Sequence, residues 1–556
     1  MGDPVLKRKT TYRKFRGKDT APVLLKEDSD QRLASRAATS SGLEPYAGEW
    51  TPLQAAHLLK RCSFGIKESE VQQLLSLGMN DAVDLLTAPN PNQVLPVNDY
   101  YEYEEDPHAA PGETWVNKPH GEEAEFLRVI SLKNWILQSY LNSSLSIHEK
   151  MVFFWHNLIP TQFFQIEFAN LSYAYYKILD NNALGNFRDI IKQITVDPSM
   201  LHYLNGAYNV KEAPDENYAR ELQELFTVGK GPNSNYTEQD VFEAARILTG
   251  WAIDVEAAFF DGEAVSYFDD VHHDEGDKTF SSFYGNKVIT GRSGQAGMEE
   301  TDELIQMILD TNEAALYICR RLYNFFVYHA IDENVETNII EPLAEIFRSN
   351  DYDILPVVQA LLKSEHFYDV ANVGAYVKNP LDHTLAMMRA FDIPLQENPT
   401  ERFDFLYQIY YFMHEIGLGI GDPPSVSGWQ AYYQQPNYDK IWINADTLIN
   451  RVQVQDYFVF VLMDLPQFVS NFSDPGDPNQ LITDCNFLFQ GITLDENVRN
   501  NLKANLLAGQ QTDDYWTNAW IRYQNNPEDE GYRSAVEIRL RLLFRQFLQL
   551  AEFQLM

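Results

Sequence analysis

IHEKMVFFWHNLIP, residues 147–160, is the stretch whose reading decides the fold. Met151, Val152, Phe153, Phe154, Trp155, Leu158 and Ile159 cover the whole circumference of a helix rather than one stripe, so the helix has no side to give to water. A helix of that kind needs neighbours all round it, which implies a large helical core. His156 and Asn157 then become interior polar groups, and burying them costs free energy unless something bonds them. One reading is a core histidine bonded to a carbonyl or carboxylate; the other is a site residue, because neutral imidazole is a common ligand and proton carrier.

The segments around this stretch have helical length and period. AEFLRVISLKNWILQSYL, FANLSYAYYKILD, FRDIIKQIT, ENYARELQELFTVG and EQDVFEAARILTGW fill residues 122–250, and further helical patterns run from EETDELIQMILD to the closing LLFRQFLQLAEFQLM. Upstream, Thr51 is the expected N-cap of TPLQAAHLLKRC. The fold class is therefore all-α: a large multi-helix array forming one domain over residues 49–556, with long irregular loops. Three regions break the pattern. Residues 88–119 carry six prolines and read as a loop. Residues 253–295 mix aromatic and β-branched residues with Asp, His and Gly, and read as a loop insertion with a short β-hairpin. Residues 417–442, GLGIGDPPSVSGWQAYYQQPNYDKIW, form the third.

Composition narrows the function classes. The net charge of −37 repels phosphates, which argues against nucleic acid and anionic lipid as partners. The exception is a basic arm over residues 1–48, with Lys7, Arg8, Lys9, Arg13, Lys14, Arg16 and Lys18 close together; it reads as a mostly irregular tail, with an anchor to an acidic partner or a membrane face as the alternative. Cys62, Cys319 and Cys485 are too scattered for a disulfide framework or a metal knuckle. No apolar run is long enough to span a bilayer and no secretory h-region follows the basic start, so the chain reads as cytoplasmic, or as periplasmic or exported if it is a trimmed mature form.

Two further stretches hold chemistry-bearing residues. At 100° per residue, Tyr218, Ala219, Leu222, Leu225 and Phe226 share one arc of PDENYARELQELFTVG, with Glu221 at its border, Asn217 beside it, and Arg220 and Glu224 farther out. A solvated face with surface ion pairs is the plain reading, and Glu221 departs from it most, since its stem must run along apolar neighbours. The loop VHHDEGDKTF packs His272, His273, Asp274, Glu275, Asp277 and Lys278 together, but it matches neither HExxH nor an EF-hand, and its lysine weakens any dication site. SVSGW lacks the first glycine of a nucleophile elbow. Trp251, Trp429 and Trp442 stand beside irregular segments, where they line a cleft or pack it.

The ordered blocks LLKRCSFG (58–65), KMVFFWHN (150–157), MLHYLN (200–205), ENYARELQELFTVG (216–229), YTEQDVFEAARILTGW (236–251), HDEGDKTF (273–280), GDPPSVSGW (421–429) and AEFQLM (551–556) resemble the bacterial domain-of-unknown-function 1800 family, the last block most like members from Bacteroidetes. The resemblance implies a helical fold without an established activity, export signals in many members, and a sulfatase-like companion as partner. It marks His156, Asn157, Glu216, Asn217, Arg220, Glu221, Glu224, His273, Asp274, Lys278 and Trp429 as the recurrent polar positions. Members of the family often read FWHNHF, whereas Leu158 stands at the second histidine here, which weakens a metal reading for this chain.

These readings combine into two main hypotheses, with a carbohydrate-binding module using the exposed aromatics as a lesser third. In the first, His156, Glu221, His273 and Asp274 converge on one cleft lidded by residues 253–295 and 417–442. Glu221 or Asp274 orients a histidine as general base, Arg220 and Lys278 meet negative charge, Asn157, Asn217, Trp251 and Trp429 bind substrate, and the chain is a hydrolase-like enzyme acting on a cell-envelope polymer or ester. No cofactor is predicted, with a divalent metal as the lesser option. In the second, the same motifs form a buried hydrogen-bonded network in a non-catalytic scaffold or partner protein.

Overall fold

The helix His148–Leu158 is buried at every one of its residues. Its apolar side chains are met on all sides, as their distribution requires: Phe153 and Phe154 lie against Phe325 with ring centroids 6.0 and 5.4 Å apart, Trp155 stacks on Phe187 at 5.5 Å, and Phe153 reaches Trp429 at 5.3 Å. These partners come from the helices Asn312–Phe326 and Phe187–Thr195 and from the irregular 417–442 segment. On the same helix His148 meets Asp180 at 2.8 Å and Lys150 meets Asp382, whereas the buried Glu149 keeps an unpaired oxygen and is pushed up to about 8 by burial and then by Asp180.

The computed structural model describes residues 41–91, 94–143, 145–491 and 494–556. The basic stretch between Lys7 and Lys18 lies outside them. The architecture is all-α, 60% helix and 4% strand. One continuous apolar core runs from the Pro52–Cys62 helix to the closing Phe553 and Met556. Helix Glu125–Asn142 packs on Pro399–Glu415 and on Ala169–Asn181, and Glu530–Gln549 gathers Glu496–Leu507 and Asp514–Asn525 at the other end of the sequence. Thr51 caps the Pro52–Cys62 helix by accepting the Leu53 N–H, and Thr237 with Asp240 closes a capping box at Glu238–Ile247. The three cysteines are free and buried, and burial pushes each thiol up. No helix among the described residues is long and apolar enough to cross a membrane.

Two local departures from the sequence reading bear on the site. The insertion holds two small antiparallel pairs rather than one hairpin, Trp251–Ile253 with Ser266–Phe268 and Lys278–Thr279 with Val288–Ile289. ENYARELQELFTVG is α-helical only over Asn217–Glu221, then widens into a π-turn over Leu222–Thr227, where the Val228 N–H donates to the Gln223 carbonyl five residues back. In the wider turn each residue advances by less than 100°, which shifts the face, and Gln223, off the expected arc, is buried and accepts the Tyr284 hydroxyl at 2.7 Å.

Candidate functional site

His156 is 2% exposed. Its Nδ1 lies 3.1 Å from the Tyr175 hydroxyl, and that hydroxyl donates to the Ile159 carbonyl at 2.5 Å. Because the tyrosine proton is committed to a carbonyl, Nδ1 carries the imidazole proton and donates it to the tyrosine oxygen; the partners fix the tautomer. Nε2 is left as a bare lone pair with no hydrogen-bond partner. Burial, helped by the nearby ammonium of Lys133, drives the His156 pKa down to about 3, so the ring is neutral at physiological pH.

The groups around it were not among the expected site residues. Lys133, on helix Glu125–Asn142, is 1% exposed at its side chain, pairs with Asp422 and lies 3.2 Å from the Tyr410 hydroxyl and 3.4 Å over the Phe164 ring. Burial lowers its pKa to about 8 against the pull of Asp422. Asp197 caps the Pro198–Tyr203 helix through the Met200 N–H at 2.9 Å, leaves its other oxygen unpaired, and is pushed up to about 7 by burial.

Asn157 has a different task. Its side-chain oxygen accepts the Trp429 N–H at 3.0 Å, and a Cβ at Gly428, where φ is +78°, would stand 2.2 Å from the Asn157 carbonyl and 2.5 Å from that side-chain oxygen. Glycine is therefore required for the turn to approach the helix end. Trp429, 2% exposed, packs its ring 5.9 Å from His156. The 417–442 segment is thus seated on the His156 helix.

Glu221 stands at the junction between the α-turn and the π-turn, half-buried. Burial first, and then the neighbouring Glu224, raise its pKa. It accepts no hydrogen bond among the described residues, whereas Glu224 pairs with Lys230. Burial first, and then Asp422 and Glu221, push the Tyr203 hydroxyl up to about 12. A chain of neighbours thus runs from Glu221 through Tyr203 and Asp422 to Lys133 and His156. Asn217 is half-buried, its backbone N–H held by Asp215 at 2.8 Å, and Arg220 forks to Glu216 at 2.8 Å and Glu238 at 2.7 Å as a surface pair.

His273, Asp274 and Lys278 lie elsewhere. The His273 ring is fully buried, with Nδ1 facing the Thr249 carbonyl at 2.9 Å and Nε2 facing Glu300 at 3.2 Å; both ring nitrogens meet acceptors. Glu300, also fully buried, takes Lys278 at 2.5 Å and the Arg292 N–H at 2.6 Å. Burial alone would raise this carboxyl, but those three donors hold it below the usual range. Asp274 receives a two-pronged Arg246, at 2.8 and 2.9 Å, and Trp251 donates to the Thr301 hydroxyl at 3.1 Å. These bonds tie the insertion to helices Glu238–Ile247 and Met298–Leu309. His156 and His273 share no hydrogen-bond or ring partner among the described residues, so the expected residues divide between two places. The group expected to act through His273 is a closed network, and the lids sit on different helices.

A family model described as Protein of unknown function (DUF1800) matches residues 57–555. The chain belongs to this family. No match was found among curated proteins or among solved structures. Among the described residues, no group of three or more His, Cys, Asp or Glu side chains is placed to hold a metal ion. The DUF1800 blocks KMVFFWHN and GDPPSVSGW meet through Asn157 and Trp429, and Asp422 sits inside the second of them. Lys133 and Tyr175 carried no usable signal: each lies in an ordinary amphipathic helix, and only packing brings them beside His156, with Asp197 acting on Tyr175 from beyond it.

Proposed function

We propose that the chain is a hydrolase-like enzyme whose proton-transfer group is Glu221, acting on a cell-envelope polymer or ester. The observation that carries this reading is an unpaired, half-buried carboxyl with raised proton affinity beside a second carboxyl held by a lysine. A carboxyl whose proton affinity is raised by burial, standing beside a carboxylate paired with a lysine, suits an acid and a base in one reaction. In that reaction Glu221 gives its proton to the leaving oxygen as water adds to the electrophilic carbon, and Glu224 accepts the proton lost by the water. His156, neutral and with one free nitrogen, lies in the core behind Tyr175 and Trp429. An envelope substrate goes with an exported form of the chain, and the family resemblance adds a sulfatase-like companion and a Bacteroidetes-like origin to this reading.

A scaffold role is favoured by a separate observation, the closed His273–Glu300–Lys278 network, in which nothing is left over for a substrate. The test is release of reducing ends or carboxylates from purified cell-envelope polysaccharide and from aryl esters. Hydrolysis by the wild type that drops by roughly 10²–10⁴ in Glu221→Gln, with unchanged far-UV circular dichroism, supports the enzyme. No turnover on any of these substrates supports the scaffold.

A further inference from the structure

A second polar concentration lies far along the sequence from Glu221, where the Pro52–Cys62 helix, residues 372–386 and the closing 552–556 stretch meet. Five cationic side chains are gathered there. Arg61, Lys150, Lys378 and Arg451 are each 3% exposed or less, and Lys60 is only partly exposed. The carboxylates among them are fewer: Asp382 is taken by Lys150, and Asp439 lies 2.5 Å from His329 and accepts the Val377 N–H at 2.8 Å. Arg61 donates to the Asn372 carbonyl at 3.1 Å and Arg451 to the Lys378 carbonyl at 2.7 Å, and in each guanidinium at least one N–H has no acceptor. Lys60 donates to the Gln490 carbonyl.

Lys378 is the most exposed to this imbalance in the energetic sense. Its ammonium lies 4.1 Å over the Phe553 ring and has no hydrogen bond or ion pair among the described residues. A buried ammonium without a counter-ion costs several kcal/mol. Two adjoining cavities, about 20 and 40 Å³, open beside it: Lys60, Lys378, Asp382, Phe553 and Met556 line the first, and Lys60 and Met556 are shared with the second, which reaches Leu53 and Glu552 at the outside. A single water needs roughly 10–15 Å³ of such space, so the room suits a few waters or one small tetrahedral anion.

We propose that this pocket binds a free inorganic oxyanion of the phosphate class, held by Lys60 and Lys378 with Arg61 and Arg451 behind them. The anion supplies the counter-charge that the two buried carboxylates do not. It also restores protons: burial lowers Lys60 to about 8 and drives Lys378 well below the ordinary lysine value, and an adjacent anion returns both toward their normal affinity.

The experiment is titration calorimetry of the full chain with potassium phosphate at constant ionic strength, with potassium chloride as the control. The expected result is saturable, phosphate-specific heat that weakens at least ~10-fold in Lys378→Gln and survives in Lys378→Arg. No saturable heat in the wild type, or equal binding in Lys378→Gln, overturns the proposal. Glucose 6-phosphate, run in parallel, distinguishes the free ion from a phosphomonoester, and equal or tighter binding of the ester overturns the assignment to a free ion. Should Lys378→Gln fail to fold, wild-type titrations in two buffers of different ionisation enthalpy decide: proton uptake on binding near pH 9 supports the site, and its absence overturns it.

Discussion

His156 and His273 are both buried histidines carried by sequence blocks of the same family, yet one leaves a nitrogen free and the other has every ring nitrogen engaged. The difference comes from what surrounds them. His273 sits where a loop insertion must be fastened to two helices, between the Thr249 carbonyl and the Glu300 carboxylate, which in turn takes an ammonium and a backbone N–H. His156 sits inside a helix surrounded by aromatic rings, where its one hydrogen-bond partner among the described residues is a tyrosine already committed to a carbonyl. A closed network fixes geometry, whereas an open nitrogen beside a lysine–aspartate pair and a raised carboxyl is the kind of incompletely satisfied centre that marks working sites.

The sharpest way to break this comparison is Glu300→Ala. It strands Lys278 and His273 without their shared carboxylate, and a loss of about 3–5 kcal/mol is expected in urea unfolding, far beyond any change at His156. A loss under about 1 kcal/mol would mean that the network is not structural. Gly428→Ala comes next. The positive φ and the short approach to Asn157 together should cost about 1–3 kcal/mol and shift the Trp429 fluorescence, since the turn cannot seat with a Cβ present.

Acid titration separates the two centres by window. Glu300 has a folded pKa below its unfolded value, so its stabilisation is complete above about 4.5 and is lost as pH falls further. His156 also has a depressed folded pKa, about 3 against 6.5 unfolded; the unfolded chain therefore gains the extra proton first, and stability declines as pH falls from 6.5 toward 3. His156→Phe should remove the upper part of this decline at a cost under about 1 kcal/mol at pH 7, because the Tyr175 hydroxyl keeps its carbonyl. An unchanged slope between pH 6 and 4.5 would refute the assignment of that limb to His156. The smallest effect belongs to Arg220→Ala, whose exposed pairs with Glu216 and Glu238 should contribute under about 1 kcal/mol in thermal unfolding.

Much of the fold was legible because hydrophobic period is a local property. The all-round apolar 147–160 stretch, the Thr51 cap and the proline-rich loop, over its described residues 88–91 and 94–119, appear where residue order placed them. The π-turn after Glu221 was not legible, since one widened turn depends on how Gln223 and Tyr284 bond across two elements, and a fixed 100° step cannot express it. The candidate site divided the same way. Asn157 and Trp429 belonged together, but the bond between them joins positions far apart in the chain.

By itself, then, the amino-acid order determined which segments are helices, which helix is interior, and that His156 and Asn157 need partners. Only the tertiary structure decided who those partners are. Burial acts on each side chain alone and can be read from composition along a helix, whereas a hydrogen bond or ion pair needs two groups within about 3 Å, and that proximity is created by packing.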